Sequence, residues 1–179
     1  MVYLIRISPG ENPPESINIV IEIPEGSSVK YETDLESGVI FVDRFLHTAT
    51  YYPFNYGFIP GTIGTDGDPM DALVLCQDPV YPMSVIRSRP IGVLLMEDEN
   101  GDDPKIIAVP DHSVDPFYSD VRSGQHLPEY TKNQIEHFFK HYKETEPNKF
   151  VKIKGWGNIT LAKKLIAKAI KAKVANRGT

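Results

Sequence analysis

Asp66, Asp68 and Asp71 stand within the six-residue run Asp66-Gly67-Asp68-Pro69-Met70-Asp71. The Gly and the Pro forbid both a long helix and an uninterrupted strand, so the run presents its carboxylates from a tight loop. Three carboxylates so close repel one another unless a cation lies between them. Ligation by oxygen alone selects hard ions, Mg²⁺ or Mn²⁺ before Zn²⁺. A solvated acidic turn is the simpler alternative, because acidic turns with Gly and Pro are common. A second acidic run, Glu97-Asp98-Glu99-Asn100-Gly101-Asp102-Asp103, taken alone reads as a charged hairpin tip. Neither run fits a calcium loop, which needs Gly at its sixth position and Glu at its twelfth. Counting from Asp66, those positions hold Asp71 and Gln77; counting from Asp98, they hold Asp103 and Val109.

Four cations lie at isolated points: Lys30, Arg44, Lys105 and Lys143. Each alone reads as a surface charge. Their neighbours say more. Lys30 and Glu32 share one face of a strand, because side chains alternate. Arg44 follows Val42 by two positions in an otherwise apolar stretch, and Tyr142-Lys143 lies on a helix with Phe138 and Phe139 beneath it. Cations, tyrosine hydroxyls and carboxylates converging on one cavity would suit an anion bound through metal ions. There is no Walker-type phosphate loop, no HExxH zinc motif and no GxSxG elbow. Among the histidines only His137 and His141 are four apart on one helix face, and the residues between them lack zinc-site support.

The elements that must carry these groups are legible from period. Residues 16–23 alternate as a strand with Ile17, Ile19, Ile21 and Ile23 on one face. Strands are expected over 29–33 and 39–45, then a punctuated aromatic loop, Tyr51 to Gly61, entering a short strand. Ala72-Leu73-Val74-Leu75 reads as a buried strand, and residues 84–86, 91–96 and 105–109 as further strands, with Asn100-Gly101 a two-residue hairpin turn. The period then becomes helical: Ile135, Phe138, Phe139 and Tyr142 share a face within 127–144. A strand over 150–156 precedes a last helix capped by Asn158, with the apolar stripe Leu161, Leu165, Ile166, Ala169, Ile170 and Val174. Its lysines read as a solvated outer face. Short strands followed by two helices give an α+β chain, mainly β with flanking α helices, built around an antiparallel barrel or strongly curved sheet.

At 179 residues the chain fits a single domain, residues 1–179, with ordinary hydrophobic (41%) and charged (24%) fractions for a globular soluble protein. The net charge of −5 argues against a nucleic-acid partner. The lone Cys76, at the end of an apolar run, reads as a buried inert thiol, compatible with a reducing compartment. Met1 to Arg6 begin no signal-peptide apolar region, and no stretch spans a bilayer, so the expectation is cytoplasmic with no membrane partner.

With these residues in place, the chain resembles the family I soluble inorganic pyrophosphatases of compact prokaryotic type. The family's Asp-x-Asp-Pro-x-Asp signature stands here as Asp66 to Asp71. In order around it come Ile21-Glu22-Ile23-Pro24, Lys30-Tyr31-Glu32, Phe41-Val42-Asp43-Arg44, Tyr52-Pro53-x-x-Tyr56-Gly57, Asp98-Glu99 to Asp103-Pro104-Lys105, His141-Tyr142-Lys143, and Val151 to Gly155-Trp156. The resemblance implies an OB-like five-stranded antiparallel β-barrel. It implies hydrolysis of inorganic pyrophosphate to two orthophosphates by a multi-Mg²⁺ mechanism, with Mn²⁺ or other divalent ions as possible substitutes. A metal-activated water would attack, with Asp68 as general base. The metal ligands it implies are Asp66, Asp71, Asp98 and Asp103, with Glu32 contributing through water or a further site; the extra carboxylate of Glu97 lies beside Asp98. Lys30, Arg44, Tyr56, Tyr142 and Lys143 would bind phosphoryl oxygens. Glu22 and Lys105 would pair at the cavity edge, with Tyr52 in support. By resemblance the assembly is a homohexamer of two trimers.

Two other readings compete. A haloacid-dehalogenase-like phosphatase would need an apolar strand before Asp66, where Gly61-Thr62-Ile63-Gly64-Thr65 stands. An OB-type binding module for single-stranded nucleic acid would use Tyr51, Tyr52, Phe54, Tyr56 and Phe58 for stacking, against the simpler role of a packed aromatic loop.

Overall fold

The computed structural model describes residues 7–176; the leader reading of Met1 to Arg6 falls outside them. Nine strands and two helices follow in the order β1 Ile17–Ile23, β2 Val29–Thr33, β3 Ile40–Phe45, β4 Asn55–Phe58, β5 Asp71–Val74, β6 Val85–Asp98, β7 Gly101–Asp102, β8 Lys105–Pro110, α1 Glu129–His141, β9 Val151–Gly157 and α2 Ile159–Asn176.

Five strands close a ring. β1 pairs with β4, β4 with β5, β5 with β8, β8 with β6, and β6 returns to β1. Four of these pairings are antiparallel and one, β5 with β8, is parallel. The all-antiparallel expectation is corrected there for a topological reason. Directions cannot alternate around an odd number of strands, so a closed ring of five must contain a parallel pair. β2 and β3 form a separate two-stranded sheet, and β9 extends the C-terminal half of β6.

The expected strands at 84–86 and 91–96 are one element. β6 runs unbroken for 14 residues, and its register shifts between Pro90 and Gly92, a bulge that absorbs the proline's missing donor. The hairpin at its end turns through Glu99 and Asn100, with Gly101 already paired to Asp98.

Both faces of the ring strands are covered, which is why the run 72–75 is apolar throughout. Ala72 and Val74 join one buried cluster with Ala162, Ile166 and Ala169 of α2; Leu73 and Leu75 join another with Ile135, Phe138, Phe139 and Tyr142 at α1. Ile17, Ile19 and Ile21 lie in the α2 cluster, but Ile23 lies in the α1 cluster. A register shift between Ile21 and Ile23 flips the strand there, correcting the expected common face. At the bulge, Gly57 lies so close to β1 that a Cβ on it would stand 1.9 Å from the Val20 carbonyl oxygen.

Helix α1 is shorter than the expected 127–144. It starts after Pro128, which offers no side-chain cap, and ends at Tyr142. Asn158 caps α2 as expected, its Oδ1 accepting the Leu161 N–H at 2.9 Å. The apolar stripe of α2 needs correction at its end: Ala162 is fully buried, whereas Val174 is 67% exposed. Cys76 is only partly buried, and burial pushes its thiol up to about 11, which keeps it inert at neutral pH.

Candidate active site

The acidic loop is held by Thr62. Its hydroxyl accepts the Met70 N–H at 2.9 Å and donates to the Ile59 carbonyl at 2.5 Å, closing the base of the loop. Gly67 takes φ +97°, a left-handed value open to glycine, and the Asp68 N–H bonds the Asp66 carboxylate at 3.0 Å. Residues 59–65 form no strand leading into Asp66, which removes the dehalogenase-like geometry. Asp66 and Asp68 sit exposed at the tip; Asp71 begins β5.

This loop forms one wall of a cleft of about 1030 Å³. Thirteen of the fourteen residues singled out from sequence line it: Glu22, Lys30, Glu32, Arg44, Tyr56, Asp66, Asp68, Asp71, Asp98, Asp103, Lys105, Tyr142 and Lys143. Tyr52 does not. It is 2% exposed and packs its ring 4.6 Å from Phe138 and 5.3 Å from Tyr56, beneath the wall. Tyr56 and Phe58 are also buried and Phe54 is partly buried, so these rings offer no stacking platform; of the five aromatics only Tyr51 is exposed.

Every expected cation in the cleft meets carboxylates. Lys105, with 4% of its side chain exposed, bonds Asp71 and, at 2.5 Å, Asp103; its ammonium also lies 5.8 Å from the Tyr56 ring centre. Lys143 reaches Asp98 at 2.8 Å and Glu99 at 2.9 Å. Lys30 bonds Glu32 and stands 3.2 Å from Asp43. Arg44 bonds Asp43 at 2.5 Å through one nitrogen and Glu146 at 2.8 Å through Nε. The expected pairing of Glu22 with Lys105 is absent. Lys105 is committed to two aspartates on its own floor, and Glu22, turned by the β1 bulge, accepts the Thr33 N–H at 2.7 Å.

The electrostatics follow. Burial raises Glu22 to about 7, opposed by its bonds from Thr33 and reinforced by Asp71 and Glu32. Burial also raises Asp103, which Lys105 opposes and Asp71 supports. Asp68 is raised by desolvation, then by Asp66, Asp71 and Glu32. Lys105 is held protonated: burial works against its charge, and Asp71 and Asp103 outweigh it. Glu99 goes the other way, down to about 2, where the bonds from Lys149 and Lys143 overcome burial. At formal charge, twelve carboxylates and seven cationic side chains line the cleft. The cleft therefore carries an excess of five negative charges, equal to that of the whole chain.

An anion could not enter such a cleft alone. The donors facing it are carboxylates, with no His or Cys among the lining residues, a set that fits a hard divalent cation. Among the described residues no three Asp, Glu, His or Cys side chains converge to enclose an ion. Lys105 lies between Asp71 and Asp103, and Lys30 and Lys143 engage Glu32 and Asp98.

A family model described as inorganic pyrophosphatase matches residues 19–173. The chain belongs to this family. It is 56% identical over 167 residues to the inorganic pyrophosphatase of Sulfolobus acidocaldarius, covering 93% of this chain and 96% of that one. It is 57% identical to that of Aquifex pyrophilus, covering 92% and 93%. Among solved structures, an inorganic pyrophosphatase from Helicobacter pylori superposes with a TM-score of 0.91 at 47% identity, covering 94% of this chain and 99% of the other. An inorganic phosphatase from Anaplasma phagocytophilum gives 0.92 at 50%, with the same coverage. The resemblance read from the ordered motifs and the mainly β architecture agree with these relatives.

Sequence reasoning assigned no role to Asp43, Glu99, Glu146 or Lys149. Asp43 and Glu99 sit beside residues already singled out, so adjacency was a usable signal. Glu146 meets Arg44 across 102 positions of sequence, and nothing local marks it.

Proposed function

We propose that the cleft hydrolyses inorganic pyrophosphate to two orthophosphates, using Mg²⁺ held by Asp66, Asp71, Asp98 and Asp103, with Glu32 nearby. The observation that carries this is the convergence of both acidic runs and all four isolated cations on one cleft, in a chain of this family. Bound Mg²⁺ would neutralise the diphosphate and acidify an attacking water.

The chain's own groups do the rest. Asp68 takes the proton of the attacking water. Desolvation and the neighbouring Asp66, Asp71 and Glu32 raise its carboxyl, which makes it a better base than an ordinary aspartate, and among the described residues it joins no ion pair. The water oxygen bonds to one phosphorus as the bridging P–O bond breaks; the leaving phosphate takes a proton from solvent, and Asp68 gives up to solvent the proton it accepted, which restores the carboxylate. Lys30, Arg44 and Lys143 exchange their carboxylate contacts for phosphoryl oxygens, and the hydroxyls of Tyr56 and Tyr142 donate from the floor. Because phosphoryl transfer asks for little covalent chemistry, this placement of charge supplies most of the rate. Lys105 stays bound to Asp71 and Asp103 and orients them; Tyr52 buttresses Tyr56 from below.

The family also supports a single domain acting as a homohexamer in the cytoplasm. Among the described residues no helix is long and apolar enough to cross a membrane. Phosphate release from pyrophosphate, measured with and without Mg²⁺ and beside a phosphate monoester, tests the activity. Strong Mg²⁺-dependent release from pyrophosphate alone is expected; equal rates on the monoester would overturn it.

A further inference from the structure

Helix α2 supplies part of the cleft wall. Leu165, Lys168, Ala169 and Ala172 line it, together with Ile63, Gly64 and Thr65 of the segment that enters the acidic loop. We infer that Lys168 is an anion-capture residue: its exposed ammonium draws the incoming diphosphate to the rim of the cleft before the deeper cations take it. The inference rests on the pyrophosphate reading of the cleft.

Three observations carry it. The first is availability. Of the seven cationic side chains that line the cleft, six meet carboxylates. Lys149 bonds Glu99 at 2.7 Å, and Lys154 bonds Glu97 and Asp102 at 2.6 Å each. Lys168 is the seventh; it is exposed and, among the described residues, joins no ion pair. An anion can therefore meet its charge without first displacing a carboxylate. The second is placement. The Ile63 N–H bonds the Ala169 carbonyl at 3.1 Å, which pins α2 to the segment leading into Asp66. Ala162 and Ile166 anchor the helix in the core beneath. The Lys168 side chain thus extends from a fixed backbone position at the cleft edge. The third is need. The cleft carries an excess of negative charge, so an approaching anion is repelled until cations offset it. Lys164 and Lys171, four residues before and three after Lys168, stand on the same side of the helix, and α2 contains no acidic residue. The positive potential therefore continues outward from the rim.

A role exercised by charge through solvent makes a specific demand. It follows the sign of the side chain and fades with salt.

The test is a charge series at Lys168, reading kcat and kcat/KM for pyrophosphate at constant Mg²⁺. Ionic strength runs from about 0.02 to about 0.5 M, over which the screening length falls from about 20 to about 4 Å. At low salt Lys168→Gln should lower kcat/KM roughly two- to fivefold with kcat held, and Lys168→Glu by about the square of that factor. Lys168→Arg should match the parent, and all four proteins should converge at high salt. Calorimetry of methylenediphosphonate, which is not hydrolysed, on the Mg²⁺-loaded chain should show affinity falling in the same order. A Lys168→Gln protein that follows the parent at every salt, or a loss that persists at high salt or that Arg does not rescue, would overturn the inference. Diphosphonate binding in this charge order by a parent that releases no phosphate from pyrophosphate would uphold capture and overturn the hydrolytic reading instead.

Discussion

Replacing Lys105 by Met separates the electrostatic role of this buried ammonium from its bulk. Met keeps the unbranched stem and most of the volume, so the loss is the charge. Lys105 is nearly sealed from water, with Asp71 and Asp103 both bonded to its Nζ. Removing one partner of a buried pair costs about 3–5 kcal/mol, because the remaining charge stays desolvated. For a chain of this size each kcal/mol shifts Tm by about 2–4 °C, so a fall of about 6–20 °C is expected in chelator-treated protein. Two features mark the cause as carboxylate repulsion. Mg²⁺ should restore part of the loss in the variant more than it raises the parent, since a cation between the aspartates replaces the ammonium. The loss should also grow with pH. Asp103 is already raised by burial, and without Lys105 its folded-state value rises further. A group raised in the folded state stabilises below its unfolded value, and that contribution is lost as pH rises through its folded value. Scanning calorimetry from pH 5 to 8, with and without Mg²⁺, reads all three. A Tm within 2 °C of the parent without Mg²⁺ would refute the reasoning (about 1 kcal/mol or less on the same scale).

Asp68→Asn should keep the fold and Mg²⁺ affinity while lowering kcat by roughly 10²–10⁴-fold, the usual range for a lost general base. Asp71→Asn should weaken Mg²⁺ binding in calorimetry as well as turnover; identical Mg²⁺ binding in both variants would erase the distinction between base and ligand. Glu22→Gln should raise Tm at pH 8 in metal-free protein. Glu22 is raised to about 7, so both states are ionised at pH 8 and the buried carboxylate is a cost that a neutral amide avoids, by on the order of 1–3 kcal/mol. The gain should vanish below pH 4, where Glu22 is protonated whether folded or not. Gly57→Ala forces a Cβ against the Val20 carbonyl and should lower stability by more than about 3 kcal/mol or prevent soluble expression, as measured by urea unfolding.

Several strands and helices were legible because burial imposes pattern: β1 falls where alternation puts it, β5 where an apolar run does, and α1 lies within the helical spacing read over 127–144. What period could not show was which strands meet. Ser84–Ile86 and Ile91–Met96 read as two strands because Pro90 interrupts the pattern, and only the bulge makes them one. The flip of Ile23 has the same origin. For the site, residue types and the ordered motifs brought thirteen residues to one cleft. The ion pairs within it were not legible, because they are set by which strand edges abut. Glu22 and Lys105 both line the cleft yet have different partners. Tyr52 carries the right chemical group and is placed one layer too deep.

Closing the ring through β1 and β6 has a consequence for the order of events during synthesis. Ile17 pairs with Ser88 and Val20 with Val85, so the first strand has no partner on that side until β6 has been made. At about 5–20 residues per second, that interval is on the order of ten seconds even before the ribosome releases the segment. Throughout it, Ile17, Ile19 and Ile21 form an apolar strand with an open edge, the kind of template that recruits a neighbouring nascent chain. The antiparallel contact of β4 with β5 is nearer in sequence and can form first. The period of greatest exposure to aggregation is therefore set by the length of chain between β1 and β6. Extending the surface loops inside that span would lengthen it without touching a single contact of the finished molecule.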